Sequence, residues 1–274
     1  MKFETCKICN SKITKRFEKT ILNKYNNVGY FECENCDFIQ INEPTWLNEA
    51  YHSAITSLDI GILYRNELLK STTIQIINTF FKDANLFLDY AGGYGIFTRI
   101  MRDVGFNYYW DDKFCENIFA KHFTINDIDN KKFDFVTAFE VLEHMENPME
   151  ELLDIFSISD NVLISTELIP EKSLIENWWY IAPETGQHIS FYTKKSMELI
   201  AKKFACNYYH ISSTLHLFTK KTLDLAKLKQ KKDKTILQKL SKIMTRKPKE
   251  KIERKSLLET DFFYIKDQLK KGIL

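Results

Sequence analysis

The residues best placed to do chemistry in this 274-residue chain lie where apolar runs end in acids and glycines. The run Phe87-Leu88-Asp89-Tyr90-Ala91-Gly92-Gly93-Tyr94-Gly95 reads as a strand, an acid and a glycine-rich turn, followed by a helical stretch over Ile96 to Val104. Glycines let the backbone turn sharply and approach a ligand, and a helix N-terminus presents free amides and partial positive charge to it. Further on, Tyr108-Tyr109-Trp110-Asp111-Asp112 ends a second apolar run in two acids. That spacing, about 20 residues, is the one at which open α/β folds hold a ribose. Together the two runs describe a nucleotide-sized cofactor site. A phosphate-loop enzyme is disfavoured, because no Gly-Lys-Ser or Gly-Lys-Thr follows the turn. A dinucleotide-dependent oxidoreductase shares the fold logic and stays open on these two runs alone.

Four thiols offer a second kind of chemistry. Cys6-x-x-Cys9 and Cys33-x-x-Cys36 are separated by 23 residues, so two tight turns can present four sulfurs to one tetrahedral ion. Soft thiolates suit Zn²⁺, and four protein ligands leave no position for water, which makes the expected role structural. Two disulfides, an iron–sulfur cluster and a redox-active pair are the alternatives. Phe31, Phe38 and Ile39 flank the second pair as strand residues would.

A third segment, Phe133 through the phrase Phe139-Glu140-Val141-Leu142-Glu143-His144, narrows the choice for the cofactor site. With the two runs above it resembles class I S-adenosylmethionine-dependent methyltransferases over Tyr64 to Lys220. In that family the first loop carries an acid and alternating glycines. Asp89, Ala91, Gly93 and Gly95 fill those places here, with Gly92 beside them, and Ala91 stands where the family has glycine. The resemblance implies that Asp89 and the loop lie near the methionine part of S-adenosylmethionine. It further implies that Asp112, or its alternate Asp111, holds the ribose, and that Phe139 and the residues after it border cofactor and substrate.

The run Trp178 to Tyr192 follows the fifth expected strand, and loops leaving strand C-terminal ends border the ligand crevice in such sheets. It is similar to a loop in a subgroup of zinc-containing sugar methyltransferases. The C-methylating members carry Tyr, any residue, Glu and His, whereas here Thr185, Gly186, Gln187 and His188 retain only the His. Loss of the groups expected to assist enolisation shifts the expectation to O-methylation. His188 is then the candidate base for a hydroxyl, with Glu140, Glu143 and His144 as further site groups. The implied substrate is a sugar, a nucleotide sugar or a surface-glycan precursor. A non-catalytic scaffold that keeps the fold and recruits partners is the reading from another class, and cofactor titration separates the two.

The elements that must position these residues follow from composition and periodicity. Hydrophobic residues make up 44% of the chain and aromatics 14%, enough for a substantial core. The formal charge of +2 hides a split: Thr219 to Leu274 holds 18 basic against 7 acidic residues, leaving 21 against 30 elsewhere. Strands are expected over Leu86–Tyr90, Asn107–Asp111, Phe123–Asn126, Phe133–Phe139, Asn161–Thr166, Asn207–Ser212 and Thr214–Thr219. Helices are expected over Ile60–Phe81, from Pro148 to Phe156 and from a Thr193 cap to Phe204. The expected fold is α/β: a Rossmann-like, mainly parallel seven-stranded sheet with helices on both faces, a small N-terminal zinc ribbon and a helical C-terminal tail. Its expected domains are residues 1–50, 51–219 and 220–274. In the tail, Ile236, Leu237, Leu240, Ile243 and Met244, then Leu257, Leu258, Ile265 and Leu269, recur at helical spacing on either side of Pro248. These basic helices suit weak contact with an acidic membrane surface or a protein, and no nucleic-acid reader motif accompanies them. No signal peptide or transmembrane run is visible, so a cytoplasmic protein is expected.

Overall fold

A computed structural model of the chain describes residues 5–52, 55–56, 58–129, 131–170, 172–229 and 254–271. The N-terminal hairpin joins β1 (Ile13–Ile21) to β2 (Tyr25–Cys33), and a short β3 (Ile39–Gln40) follows. After α1 (Leu47–Ala50) and the long α2 (Ile62–Phe80) comes the alternating part of the chain. It runs β4 (Phe87–Tyr90), α3 (Ile96–Asp103), β5 (Tyr108–Asp111), β6 (Phe135–Phe139), α4 (Pro148–Ile158) and β7 (Asn161–Ser165). It ends with β8 (Ser190–Phe191), α5 (Lys194–Lys203), β9 (Asn207–His210) and β10 (Leu215–Thr219).

The main sheet has the order β5-β4-β6-β7-β10-β9. Its pairings β4/β5, β4/β6 and β6/β7 are parallel, while β10 runs antiparallel to both β7 and β9. Alternate residues of each strand enter opposite cores. Leu88, Val136, Ala138, Val162, Ile164 and Phe218 meet Leu152 and Ile155 of α4 and Met197 and Ile200 of α5. Phe87, Phe135, Leu163 and Leu217 meet Ile76 and Ile77 of α2 and Phe97 and Met101 of α3. Both faces are therefore covered, which is what nearly continuous apolar strands require.

The expectation of seven strands is corrected to a mixed sheet of six. Residues 123–126, expected as a strand, contribute one parallel bridge between Trp110 and Thr124. The chain then turns into a short 3₁₀ helix, because Thr124 and Asp127 form a capping box. The Thr124 amide donates to Asp127 Oδ2 at 2.7 Å and the Asn126 amide to Thr124 Oγ1 at 3.2 Å. Local side-chain bonds of this kind compete directly with a sheet ladder.

A second sheet has the order β1-β2-β3-β8. Ile39 and Gln40 of β3 pair with Phe191 and Ser190, so the strand that completes the N-terminal sheet comes from the far half of the chain. Its side chains confirm the merger: Phe17, Ile21, Tyr30 and Ile39 share one buried cluster with Tyr180, Ile181, Ile189 and Phe191. The position expected as a domain boundary, residue 50, is thus spanned by a sheet and a core.

Of the two expected tail helices, the stretch from Ile236 to Met244 lies outside the described residues. The second is a helix over Leu258–Lys270. Asp261 docks it onto α3, accepting from Arg102 Nε at 2.8 Å, Arg102 Nη2 at 2.7 Å and Arg99 Nη2 at 2.9 Å. The Arg102 guanidinium also covers the Phe123 ring, 3.8 Å from its centroid. Gly105, at φ +89°, leaves room for the preceding segment: a Cβ there would stand 2.4 Å from the Lys255 carbonyl oxygen. No described helix is long and apolar enough to cross a membrane. Removing the Asp261 carboxylate leaves the buried Arg102 charge without its counter-ion, with only Asn107 and the Tyr108 carbonyl as acceptors among the described residues, a change that costs about 3–5 kcal/mol. Asp261→Ala should therefore lower the denaturation midpoint and raise amide exchange across residues 258–271. Unchanged exchange there would show that the ion pair does not hold the helix.

Candidate cofactor and acceptor site

The turn after β4 is held from below by a buried acid. Asp89 is only 2% exposed, and its carboxylate accepts from Thr98 Oγ1 at 3.1 Å and Thr137 Oγ1 at 3.0 Å. Burial pushes its pKa up to about 7, against the lowering effect of the two hydroxyls. Above it Ala91 adopts φ +52° and Gly93 φ +55°, the left-handed region. Gly92 passes so close that a Cβ would lie 2.7 Å from Asp89 Oδ2 and 2.8 Å from Trp110 Cδ1. Gly95, at φ +82°, starts α3.

The end of β5 stitches this turn in place. The Gly92 amide donates to the Asp111 carbonyl at 3.0 Å, and Trp110 Nε1 donates to the Gly93 carbonyl at 2.8 Å. Asp112 takes the Gly93 amide on one oxygen at 2.9 Å and the amides of Phe114 and Cys115 on the other, at 2.7 and 2.8 Å. A carboxylate has about four acceptor positions, so three are spent on backbone. Asp111 is half-buried, and its carboxylate has no hydrogen-bond partner among the described residues.

A corner of acids and imidazoles faces this loop. Glu140, at φ +54°, gives its amide to the Ser165 carbonyl and hydroxyl and receives Ser165 Oγ on Oε1 at 2.6 Å. Burial, with the neighbouring Glu143 charge, pushes its pKa up to about 7. Glu143 is fully buried; Tyr180 donates its hydroxyl to Oε1 at 2.6 Å, while Oε2 has no partner among the described residues. His144 Nδ1 lies 3.1 Å from the Gln187 carbonyl, and His188 Nδ1 lies 2.6 Å from the Tyr180 carbonyl. A carbonyl only accepts, so each Nδ1 carries the proton and each Nε2 keeps its lone pair. The rings meet edge to face with centroids 4.9 Å apart. Burial lowers both pKa values to about 4, so both rings are neutral near pH 7.

This corner is positioned by the backbone. Ile189 donates its amide to the Glu143 carbonyl at 2.8 Å and accepts the Ile41 amide at 3.0 Å. Ser190 Oγ and Tyr192 Oη donate to the carbonyls of Met145 and Leu142 at 2.7 and 2.9 Å. The expected cofactor and acceptor residues, except Gly95, all line one cavity of about 940 Å³. That is near the top of the usual range for small-molecule sites, about 300–1,000 Å³. Its mouth carries exposed Leu58, Phe114 and Trp179. Tyr180, which donates to Glu143 and offers its carbonyl to His188, is a lining side chain that sequence reasoning missed; only its place in the loop distinguished it. Trp178, at the start of this loop, packs against the N-terminal cluster.

Away from the cavity, the four paired cysteines converge. Cys6 Sγ is 3.6 Å from Cys36 Sγ, and Cys9 Sγ is 3.4 Å from Cys33 Sγ and 3.7 Å from Cys36 Sγ. The amides of Ile8, Asn35 and Cys36 point at these sulfurs. Thr193, the cap of α5, donates its hydroxyl to the Cys36 carbonyl at 2.7 Å, tying this corner to the main sheet's helices.

Comparison with known proteins bears on the central part of the chain. A family described as a methyltransferase domain matches residues 64–211. No curated protein matches. Among solved structures, the chain is similar to magnesium protoporphyrin IX methyltransferase from Synechocystis PCC 6803 with bound SAH, at 12% identity and a TM-score of 0.44, over 64% of this chain and 94% of that one. It is also similar to human N-acetylserotonin methyltransferase in complex with SAM, at 14% identity and a TM-score of 0.41, over 65% and 66% of the two chains.

The raised pKa of Asp89 gives a pH signature. The folded state keeps a proton that the unfolded state releases, so ionisation opposes folding as pH rises from the ordinary 3.8 to about 7. The stability Asp89 contributes is whole below that window and is lost across it. Asp89→Asn should flatten the fall in melting temperature between those pH values, and an identical pH profile in the variant would refute the assignment.

Proposed function

The chain belongs to the methyltransferase-domain family, and on that premise we propose that it methylates a hydroxyl oxygen of a sugar, a nucleotide sugar or a surface-glycan precursor, with S-adenosylmethionine as donor. The observation that carries this reading is the meeting, in one cavity, of the glycine-rich turn and the Glu143–His144–His188 corner. Bound there, S-adenosylmethionine supplies a methyl group already activated on a sulfonium. The backbone of Ala91, Gly92 and Gly93, which lines the cavity, would receive its methionine part. The remaining acceptor position of Asp112 and the carboxylate of Asp111 would take the ribose hydroxyls, and Phe139 would border the cofactor from β6. The surrounding carboxylates suit a cationic ligand.

At the acceptor side, His188 offers the Nε2 lone pair and is oriented by its bond to the Tyr180 carbonyl. It is the residue we assign to take the hydroxyl proton, with Glu140, Glu143 and His144 holding the acceptor. Gln187, which replaces the Glu of C-methylating relatives, spends its side-chain amide on the Ala50 carbonyl at 2.9 Å. That keeps Gln187 from standing in for the missing Glu and favours oxygen over carbon. The sugar class itself rests on the sequence resemblance.

The cysteine corner fits a structural Zn²⁺ in the N-terminal module. Four sulfurs each about 2.3 Å from a tetrahedral ion stand about 3.8 Å apart, close to the three separations of 3.4, 3.6 and 3.7 Å. Cys6, Cys9, Cys33 and Cys36 would be the ligands. We further propose a cytoplasmic setting, where paired thiols stay reduced, with the basic tail available for weak protein or membrane contact.

Calorimetry should detect S-adenosylhomocysteine binding to the intact protein, and its absence would remove the cofactor assignment. His188→Gln should lower turnover by about 10²–10⁴-fold, the usual cost of losing a general base, while leaving that affinity nearly unchanged. A product methylated at carbon would overturn the choice of oxygen. Elemental analysis should find about one zinc per chain, and Cys33→Ser should release it; equal zinc in the variant would reject the site.

A further inference from the structure

We propose that Glu143, His144 and His188 hold a divalent transition-metal ion that presents an open coordination position to the acceptor hydroxyl. The three residues come from the turn after β6 and the loop before β8, and their potential ligand atoms all lie within 4.8 Å of one another. His144 Nε2 is 4.0 Å from Glu143 Oε1. Two ligands at about 2.1 Å from one ion stand about 3–4 Å apart, so small side-chain rotations bring the set into one coordination sphere.

Three features prepare these side chains as ligands. Each imidazole gives its Nδ1 proton to a backbone carbonyl, of Gln187 or Tyr180, which fixes the ring and leaves the Nε2 lone pair available. Metal-bound histidines are oriented by the same kind of outer bond. Glu143 is anchored at Oε1 by the Tyr180 hydroxyl while its buried Oε2 has no partner among the described residues. A buried carboxylate oxygen left without a donor is costly, and a cation meets that need. The nearby guanidinium of Arg65 is already engaged with Asp59, at 2.8 and 3.0 Å.

Two imidazoles and one carboxylate select ions of the Zn²⁺, Fe²⁺, Co²⁺ and Mn²⁺ class over Ca²⁺ and Mg²⁺, and they leave positions open. All three residues line the cavity, so those positions face the acceptor. The ion would draw charge from a bound hydroxyl and favour transfer of its proton to Glu140, whose carboxylate lines the same cavity. With the ion in place His188 serves as a ligand, its lone pair committed to metal. The part given to the acceptor rests on the methyltransferase reading; the binding of the ion does not.

The test titrates Co²⁺ into protein loaded with a single Zn²⁺ per chain, which the four thiolates hold, and reads the visible absorption. One further Co²⁺ per chain is expected, with nitrogen and oxygen d–d bands and without the intense sulfur-to-metal absorption that occupation of the cysteine corner gives. His188→Gln, His144→Gln and Glu143→Gln should each weaken it by at least about tenfold, the scale seen even for outer-sphere partners. Thermal melting and S-adenosylhomocysteine affinity report whether each variant is folded, and if Glu143→Gln fails to fold the two histidine variants decide. Absence of this bound Co²⁺, sulfur-type absorption alone, or equal affinity in folded variants would overturn the proposal. Cobalt binding in a wild-type protein that does not bind S-adenosylhomocysteine would retain the ion and remove the methyltransferase reading.

Discussion

Ile189 carries the constraint on which the two halves of the molecule depend. Its amide is spent on the Glu143 carbonyl and its carbonyl on the Ile41 amide, so a single residue is pinned between the acceptor corner and the N-terminal sheet. The next two residues form β8 and continue that sheet through β3. His188 precedes the joint directly, and its ring orientation is therefore set by strands whose other end reaches the cysteine corner. Thr193, just beyond, closes the circuit by bonding the Cys36 carbonyl. Residues 188–193 thus connect one wall of the cavity to the cysteine corner.

The cavity's other walls are built on backbone strain. Ala91 and Glu140 both adopt left-handed φ, at the C-terminal ends of the adjacent strands β4 and β6. A residue with a Cβ pays roughly 1–2 kcal/mol there, and surrounding bonds must hold it. For Glu140 those bonds come from Ser165 on β7; around Ala91 they come from β5, through Asp111, Trp110 and Asp112. The parallel order of the strands is what places these holders beside the strained residues. Asp89 adds a second cost, a carboxylate with almost no exposure, and two threonine hydroxyls partly offset it. Strained and desolvated groups thus gather at one edge of the sheet, as is common where ligands bind.

Much of this was legible in the sequence because the signals are local. The acid and glycines after Leu88, the paired cysteines and the Thr193 cap each announce themselves within a few residues, and the structure brings the first to the end of β4, the cysteines together beside the end of β2 and Thr193 to the start of α5. The apolar spacing of α2 and of the helix beginning at Leu258 was equally readable. What escaped was long-range. Ser190 and Phe191 are too short a run to show the alternation of a strand, and their partner lies 150 residues earlier. The pairing of Arg102 with Asp261 joins residues 159 apart with no pattern linking them. At Thr124 a local signal was present but overlooked: a capping Asp three residues on, which turned an expected strand into a helical turn. His144 and His188 were each visible, yet nothing in the sequence said that their rings would touch.

The borrowed strand also bears on the order in which the chain can be finished. During synthesis the hairpin and cysteine corner emerge first, with β3 left as an open edge until residues 190–191 leave the ribosome. Such an edge invites pairing with other chains, and a contact closed only after so long a loop forms slowly. Two features limit the exposure: β3 is two residues long, and one of the two, Gln40, carries a polar side chain. The nascent N-terminal module is therefore an intermediate whose safety rests on brevity, with its last strand delivered by the same loop that brings His188 into place.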